Sequence, residues 1–231
     1  LCSYENRETG EKGYFDTTGM VVFINNYEYK YNPASKEIGM YDPRDKEGLH
    51  FSEGKLGLNH QGKFGFIDKA GNEVIPFKYD MVWNFKDGFA KVKLNGKYGF
   101  INHSGKEITA IAYDEVNHFY EGLAFVKKGE KCGYIDTNGE EVIPLNFDHW
   151  RFEKFYDFKN GLAFIKNQEH FGLINSKGEV LIEAKYDEIQ PLNKNRAIVK
   201  LNVQYGLVDY NGNEILPLQY KFIDEMSTGA Y

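Results

Sequence analysis

Residues 88–121 read GFAKVKLNGKYGFINHSGKEITAIAYDEVNHFYE. A short alternating run, Phe89 to Val92, leads into Asn95-Gly96, and a second run follows from Tyr98 to Ile101. An Asn-Gly pair between two such runs predicts a hairpin, because a type I′ turn needs positive φ at both central residues. A further turn, a third strand and a connection back complete the stretch. No segment of ten or more residues shows helical periodicity.

Nearly all of the chain repeats this stretch. A glycine in the second strand, mostly between aromatics, recurs at Gly13, Gly65, Gly99, Gly133, Gly172 and Gly206, at intervals of 52, 34, 34, 39 and 34. The glycine that opens the unit recurs at Gly54, Gly88, Gly122 and Gly161; the next position in this series is Asn195, and Asn is the residue that best replaces Gly where φ is positive. The second strand closes on Asp68, Asn102, Asp136, Asn175 and Asp209, each followed three residues later by Gly, which is turn chemistry. The third strand is read as EVIP at 73–76 and 141–144 and EILP at 214–217, with its proline at the end, where no ladder donor is lost. Tyr79, Tyr113, Phe147, Tyr186 and Tyr220 follow, and Asp succeeds the first four. The first unit fits as well, with Cys2 in its first strand, Gly13 in its second, Val21 to Ile24 as its third and Tyr27 at the aromatic position.

The combined offsets resemble the WG-repeat family, also called KWG repeats. Its pattern of aromatic-Gly-Tyr/Phe-Ile-Asp, Gly-x-x-Val-Ile-Pro, Tyr-Asp and Phe-x-x-Gly-Leu-Ala-x-Val is matched across almost the whole chain. No copy has Trp before the glycine; Tyr, Phe, Lys and Cys stand there. The resemblance implies a bacterial protein, with the envelope or secretion slightly favoured, and it implies no catalytic residues.

The expected fold is all-β: tandem units of about 34 residues, each of three short antiparallel strands, stacked as an open, twisted, solenoid-like array. A β-propeller with thin blades is the alternative. Residues 1–231 form one array of about six units, with insertions near 28–50 and 148–157. The chain starts at Leu1 and both starts and ends inside a unit, so it is read as a piece of a longer protein. One unit cannot bury enough apolar surface to offset the entropy of ordering itself, so stacking has to supply the rest.

Several functions are disfavoured. A formal charge of −6 with evenly mixed signs provides no basic face for nucleic acid. No apolar run reaches about 18 residues, so no helical membrane span is expected. Cys2 and Cys132 are too few for a disulfide framework, and Cys132 sits at a core position as a buried thiol. No phosphate loop precedes a helix, and no cofactor is expected. His50, His60, His103, His118, His149 and His170 show no metal-ligand spacing. The repeated Asp and Asn residues are read as turn caps rather than calcium ligands. With no acid, base or nucleophile set, the chain is expected not to be an enzyme.

The copies differ at the connection from the Tyr-Asp mark to the Phe-x-x-Gly mark. The first insertion adds about 18 residues there, including Tyr29, Tyr31, Met40 and Tyr41; the second adds five and carries Trp150, Phe152, Phe155 and Tyr156. Trp83 occupies the same connection in an uninserted unit. Insertions at one register position emerge from one face of an array. Trp83, Trp150, Phe155, Tyr156 and Tyr41 are therefore the binding candidates, for a protein or peptide partner or, alternatively, for a glycan stacked on Trp83, Trp150 and Tyr156. The same rings could equally fold back over the edge of the array.

Overall fold

The computed structural model describes residues 51–149, 157–192 and 195–224, together with 2–5, 7–9, 12–15 and 21–24 near the start. Every regular element among the described residues is a β-strand. The chain divides into two compact units, Leu1–His118 and Phe119–Tyr231.

The first unit holds three sheets: β1 (Cys2–Glu5), β2 (Lys12–Phe15) and β3 (Val21–Ile24); β4 (Lys55–His60), β5 (Lys63–Asp68) and β6 (Glu73–Tyr79); β7 (Met81–Val82), β8 (Phe89–Leu94) and β9 (Lys97–Asn102). The second holds β11 (Leu123–Lys128), β12 (Lys131–Asp136) and β13 (Glu141–Asp148), with β10 (Glu115–Tyr120), in which the division falls, at their edge. Then come β14 (Leu162–Asn167), β15 (His170–Asn175) and β16 (Val180–Tyr186), and finally β17 (Glu188–Leu192), β18 (Arg196–Leu201), β19 (Gln204–Asp209) and β20 (Glu214–Tyr220). Among the described residues the ladders are antiparallel, each strand pairs only within its own sheet, and the sheets follow one another in tandem along the chain with none closed into a barrel.

The turns follow the glycine marks. Glu53-Gly54, Asp87-Gly88, Glu121-Gly122 and Asn160-Gly161 each place two successive residues at positive φ, and Asn195 adopts φ 56° in the same role. The Asp or Asn that ends each second strand caps the following turn: Asp68 Oδ1 accepts the N–H groups of Ala70 and Asn72, both at 2.9 Å. Asp209 repeats this with Asn211 and Asn213.

The glycine of the second strand has a different cause. A Cβ on Gly65 would lie 2.6 Å from the Ile75 carbonyl oxygen, and one on Gly133 would lie 2.3 Å from that of Ile143. The third strand bulges over this point: Phe64 faces Tyr79 and Phe66 faces Ile75, so three residues oppose Gly65 alone. Pro76 lies inside that bulge. The third strand therefore does not end at its proline, as the sequence pattern suggested, but continues to Tyr79, and the proline costs no bond because the ladder is already interrupted there.

Two further features differ from expectation. The stretch 88–121, which sets the repeat pattern, lacks a regular third strand. Only bridges from Ile101 to Glu107 and from Tyr98 to Tyr113 form, and the Phe100 N–H is taken by the buried Thr109 hydroxyl at 3.1 Å. The second feature is an added edge strand, the fourth in two sheets: the connection itself forms β7, β10 and β17, each at the edge of the sheet that follows.

Sheets pack on one another as the repeat requires. Phe66, Ile75 and Tyr79 of one sheet bury against Val82, Phe85, Ala90, Val92 and Ile101 of the next. Leu173, Ile182 and Tyr186 meet Ala197, Val199 and Val208 in the same way.

Candidate functional site

The connection is a structural joint. Met81 pairs with Lys93 and Val82 with Val92, so the chain leaves β6 and immediately becomes the outer strand of the next sheet. β17 does the same on β18, from Glu188 opposite Lys200 to Leu192 opposite Arg196.

Trp83 follows β7 directly. Its N–H donates to the Lys91 carbonyl at 2.9 Å. The Lys91 ammonium, on a side chain that is itself buried, lies 4.1 Å from the centre of the Trp83 ring, and the Tyr98 ring lies 5.8 Å away. Trp83 is 6% exposed, and its indole Nε1 is buried without a hydrogen-bond acceptor. The sequence places this ring on a loop face; in the structure it is buried, because the short strand β7 and the backbone bond to Lys91 bring it against Lys91 and Tyr98. Trp150, Phe155, Tyr156 and Tyr41 lie outside the described residues, as do nearly all of the two insertions.

Around the joints, carboxylates of one sheet hold turns of the next. Asp80 binds the Lys63 ammonium at 2.7 Å. That bond, helped by the Asn95 and Gly96 N–H groups of the following hairpin and opposed by burial, holds its carboxyl below the usual range. Asp148 binds Lys131 at 2.6 Å and accepts the Gln168 N–H at 2.7 Å, and its carboxyl is lowered by the Lys131 bond first and the Gln168 N–H next, against burial. Asp187 accepts the Asn202 N–H at 2.8 Å. On the opposite edge, Glu53 accepts the Gly88 N–H at 3.0 Å and meets His103 Nε2 at 2.8 Å, while Glu121 accepts the N–H groups of Asn160 and Gly161 at 2.8 and 2.7 Å. Sequence reasoning recognised the Asp marks as turn caps. It missed that at Asp80, Asp148 and Asp187 the capped turn belongs to the next repeat, and it missed Glu53 and Glu121 altogether; their one signal was an acidic residue immediately before the opening glycine.

These carboxylates are occupied by backbone donors, which suits them to fastening and not to proton transfer. Among the described residues no group of His, Cys, Asp or Glu is placed to hold a metal ion. His103 lies flat on Phe85, with ring centres 4.6 Å apart. The Cys132 thiol is buried and donates to the Phe147 carbonyl at 3.4 Å.

A family model described as "WG containing repeat" matches residues 64–98, 98–132, 133–169, 171–202 and 205–230. No curated protein matches the chain in sequence. Among solved structures, Hsv2 of Kluyveromyces lactis is similar at 9% identity and TM-score 0.35, over 71% of this chain and 59% of that one. BamB of Moraxella catarrhalis is similar at 8% identity and TM-score 0.35, over 71% and 54%. PorZ of Porphyromonas gingivalis, described as a bacterial surface component of the type-IX secretion system, is similar at 12% identity and TM-score 0.36, over 93% of this chain and 30% of its own. The chain thus spans a little over half the length of Hsv2 and BamB. None of these likenesses bears on what the chain binds. No helix among the described residues is long and apolar enough to cross a membrane.

Proposed function

The chain belongs to the family of WG-containing repeats, and from that membership we propose that it is a non-enzymatic scaffold that binds a protein or peptide through the edge where its connections run. One observation carries this reading: the connections form the outer strands β7 and β17, each the boundary of its sheet. Both insertions enter the repeat at the register of these connections, in the two connections for which no outer strand is described. Rigid sheets carrying variable, aromatic-rich segments at one register are the usual arrangement of a recognition surface.

The glycan reading relied on three rings, and the burial of Trp83 removes one of them as a stacking platform. Protein or peptide is the better reading on that ground. The test uses Trp150→Ala and Tyr41→Ala, because truncating the buried Trp83 would damage the core. Pull-down of partners from the source organism, with a glycan array in parallel, is expected to show protein capture that both variants weaken. Capture unchanged by either variant, or none at all, would sink the proposal.

A further inference from the structure

Four Asn-Gly pairs stand in turns of the chain: Asn95-Gly96, Asn138-Gly139, Asn160-Gly161 and Asn211-Gly212. Such a pair is prone to deamidation, because glycine has no side chain to shield its nitrogen from the asparagine side chain before it. In that reaction the glycine nitrogen loses its proton, bonds to the asparagine Cγ and expels the side-chain nitrogen as ammonia. Water then opens the succinimide ring to Asp or isoAsp. The step that decides the rate is therefore access to the glycine N–H and loss of its proton.

The four glycine N–H groups are held in two different ways. Gly139 donates to the main-chain carbonyl of Asp136 and Gly212 to that of Asp209, each at 3.0 Å, so both are held within their own turn. Gly161 donates instead to one carboxylate oxygen of Glu121 at 2.7 Å, while the Asn160 N–H donates to the other at 2.8 Å. Asp80 likewise accepts from the Asn95 and Gly96 N–H groups. Both acids belong to the repeat before the turn they hold. Removing a proton from Gly161 or Gly96 would set a negative nitrogen against a carboxylate, which the hydrogen bond to the neutral N–H opposes.

We propose that Asn95 and Asn160 are deamidation sites gated by the joints between repeats. Each is spared while the carboxylate of the preceding repeat holds its glycine N–H, and each is modified once that link opens. The change is one-way. IsoAsp adds a main-chain atom between the N–H groups of residues 160 and 161, so the two oxygens of Glu121 no longer match their spacing. An opened joint then stays open, and the modified residue records where the array came apart. Asn138 and Asn211 are internal controls, since their glycines do not depend on a joint.

The test is incubation of the 231-residue chain at mildly alkaline pH, with peptide mapping by mass spectrometry at all four sites and enzymatic methylation to count isoAsp. Glu121→Gln, which keeps the shape and removes the charge, is expected to raise deamidation several-fold at Asn160 and to leave Asn95, Asn138 and Asn211 unchanged. Asp80→Asn is expected to do the same at Asn95 alone. The isoAsp160 form, separated from unmodified chains by its added charge, should exchange the Gly161 amide faster than they do. Equal rates at Asn160 with and without the Glu121 charge would overturn the proposal. So would a rise at all four sites together, which means general unfolding, or unchanged exchange at Gly161 in the isoAsp160 form.

Discussion

Asp148 stands at the end of one sheet, and its carboxylate accepts the backbone N–H of Gln168 in the hairpin turn of the next, at 2.7 Å. Its ammonium partner, Lys131, comes from its own sheet. The side chain therefore couples two repeats without belonging to either core. Asp80 with the Asn95 and Gly96 N–H groups, Asp187 with Asn202, and Glu121 with Asn160 and Gly161 repeat the device.

The coupling has a pH signature. The Asp148 carboxyl is held below its ordinary value of 3.8, so its contribution is complete above that pH and is lost as pH falls through the lower, folded value. Asp148→Asn should cost about 1 kcal/mol or less at pH 7, since the pair is partly solvated. The cost should vanish toward pH 2. Urea denaturation at both values measures it, and equal costs at the two would contradict the assignment.

Two kinds of glycine should respond differently to alanine. A Cβ on Gly133 meets backbone atoms at 2.3 and 2.7 Å, which side-chain motion cannot relieve; Gly133→Ala should cost about 3 kcal/mol. Gly122, at φ 82° with open space around it, should cost only about 1–2 kcal/mol, from the left-handed backbone alone. Chemical denaturation of the two variants should preserve that order.

Thr109 substitutes for a strand. Its hydroxyl is the acceptor for the Phe100 N–H inside the sheet, so Thr109→Val leaves a buried donor unsatisfied and should cost about 1–3 kcal/mol. Thr109→Ser keeps the oxygen and should recover most of that loss. Hydrogen exchange at the Phe100 amide should accelerate in the valine variant and stay protected in the serine one.

Val203 is a β-branched residue at φ 65° on a hairpin tip, 79% exposed. Gly62 and Gly96 fill the corresponding place in earlier hairpins. Val203→Gly should raise stability by about 0.5–1 kcal/mol, the relief of the left-handed strain being partly offset by the entropy glycine adds to the unfolded chain. A lower melting temperature in the variant would show that the tip is not strained.

The repeat was legible because its marks are backbone requirements. Gly88, Gly71 and Asn195 announce positive φ, and Asp68 announces a capped turn; each acts over a few residues. Gly65 was equally legible as a mark, though not its cause, since the strand that crowds it arrives ten residues later from a bulge no local pattern encodes. The added edge strand was missed because Met81-Val82 is too short to show a period, and it is set by pairing with a hairpin that lies further on. The same pairing explains the site. Trp83 reads as a loop aromatic until β7 fixes its place, and its burial depends on Lys91 and Tyr98, neither adjacent to it in sequence. The substitution of Thr109 for a ladder bond was invisible for a related reason: a buried threonine and a capping one look alike in a sequence.

The carboxylate links also have a direction. In each described case the acid belongs to the earlier repeat and the turn it holds to the later one. Removing a later repeat leaves a carboxylate that water can solvate at little cost. Removing an earlier one strips an acceptor from N–H groups already fixed in a tight turn. Within a compact unit the array should therefore fray from its later end and resist loss of its earlier one, so a deletion is better tolerated the further along the unit it falls.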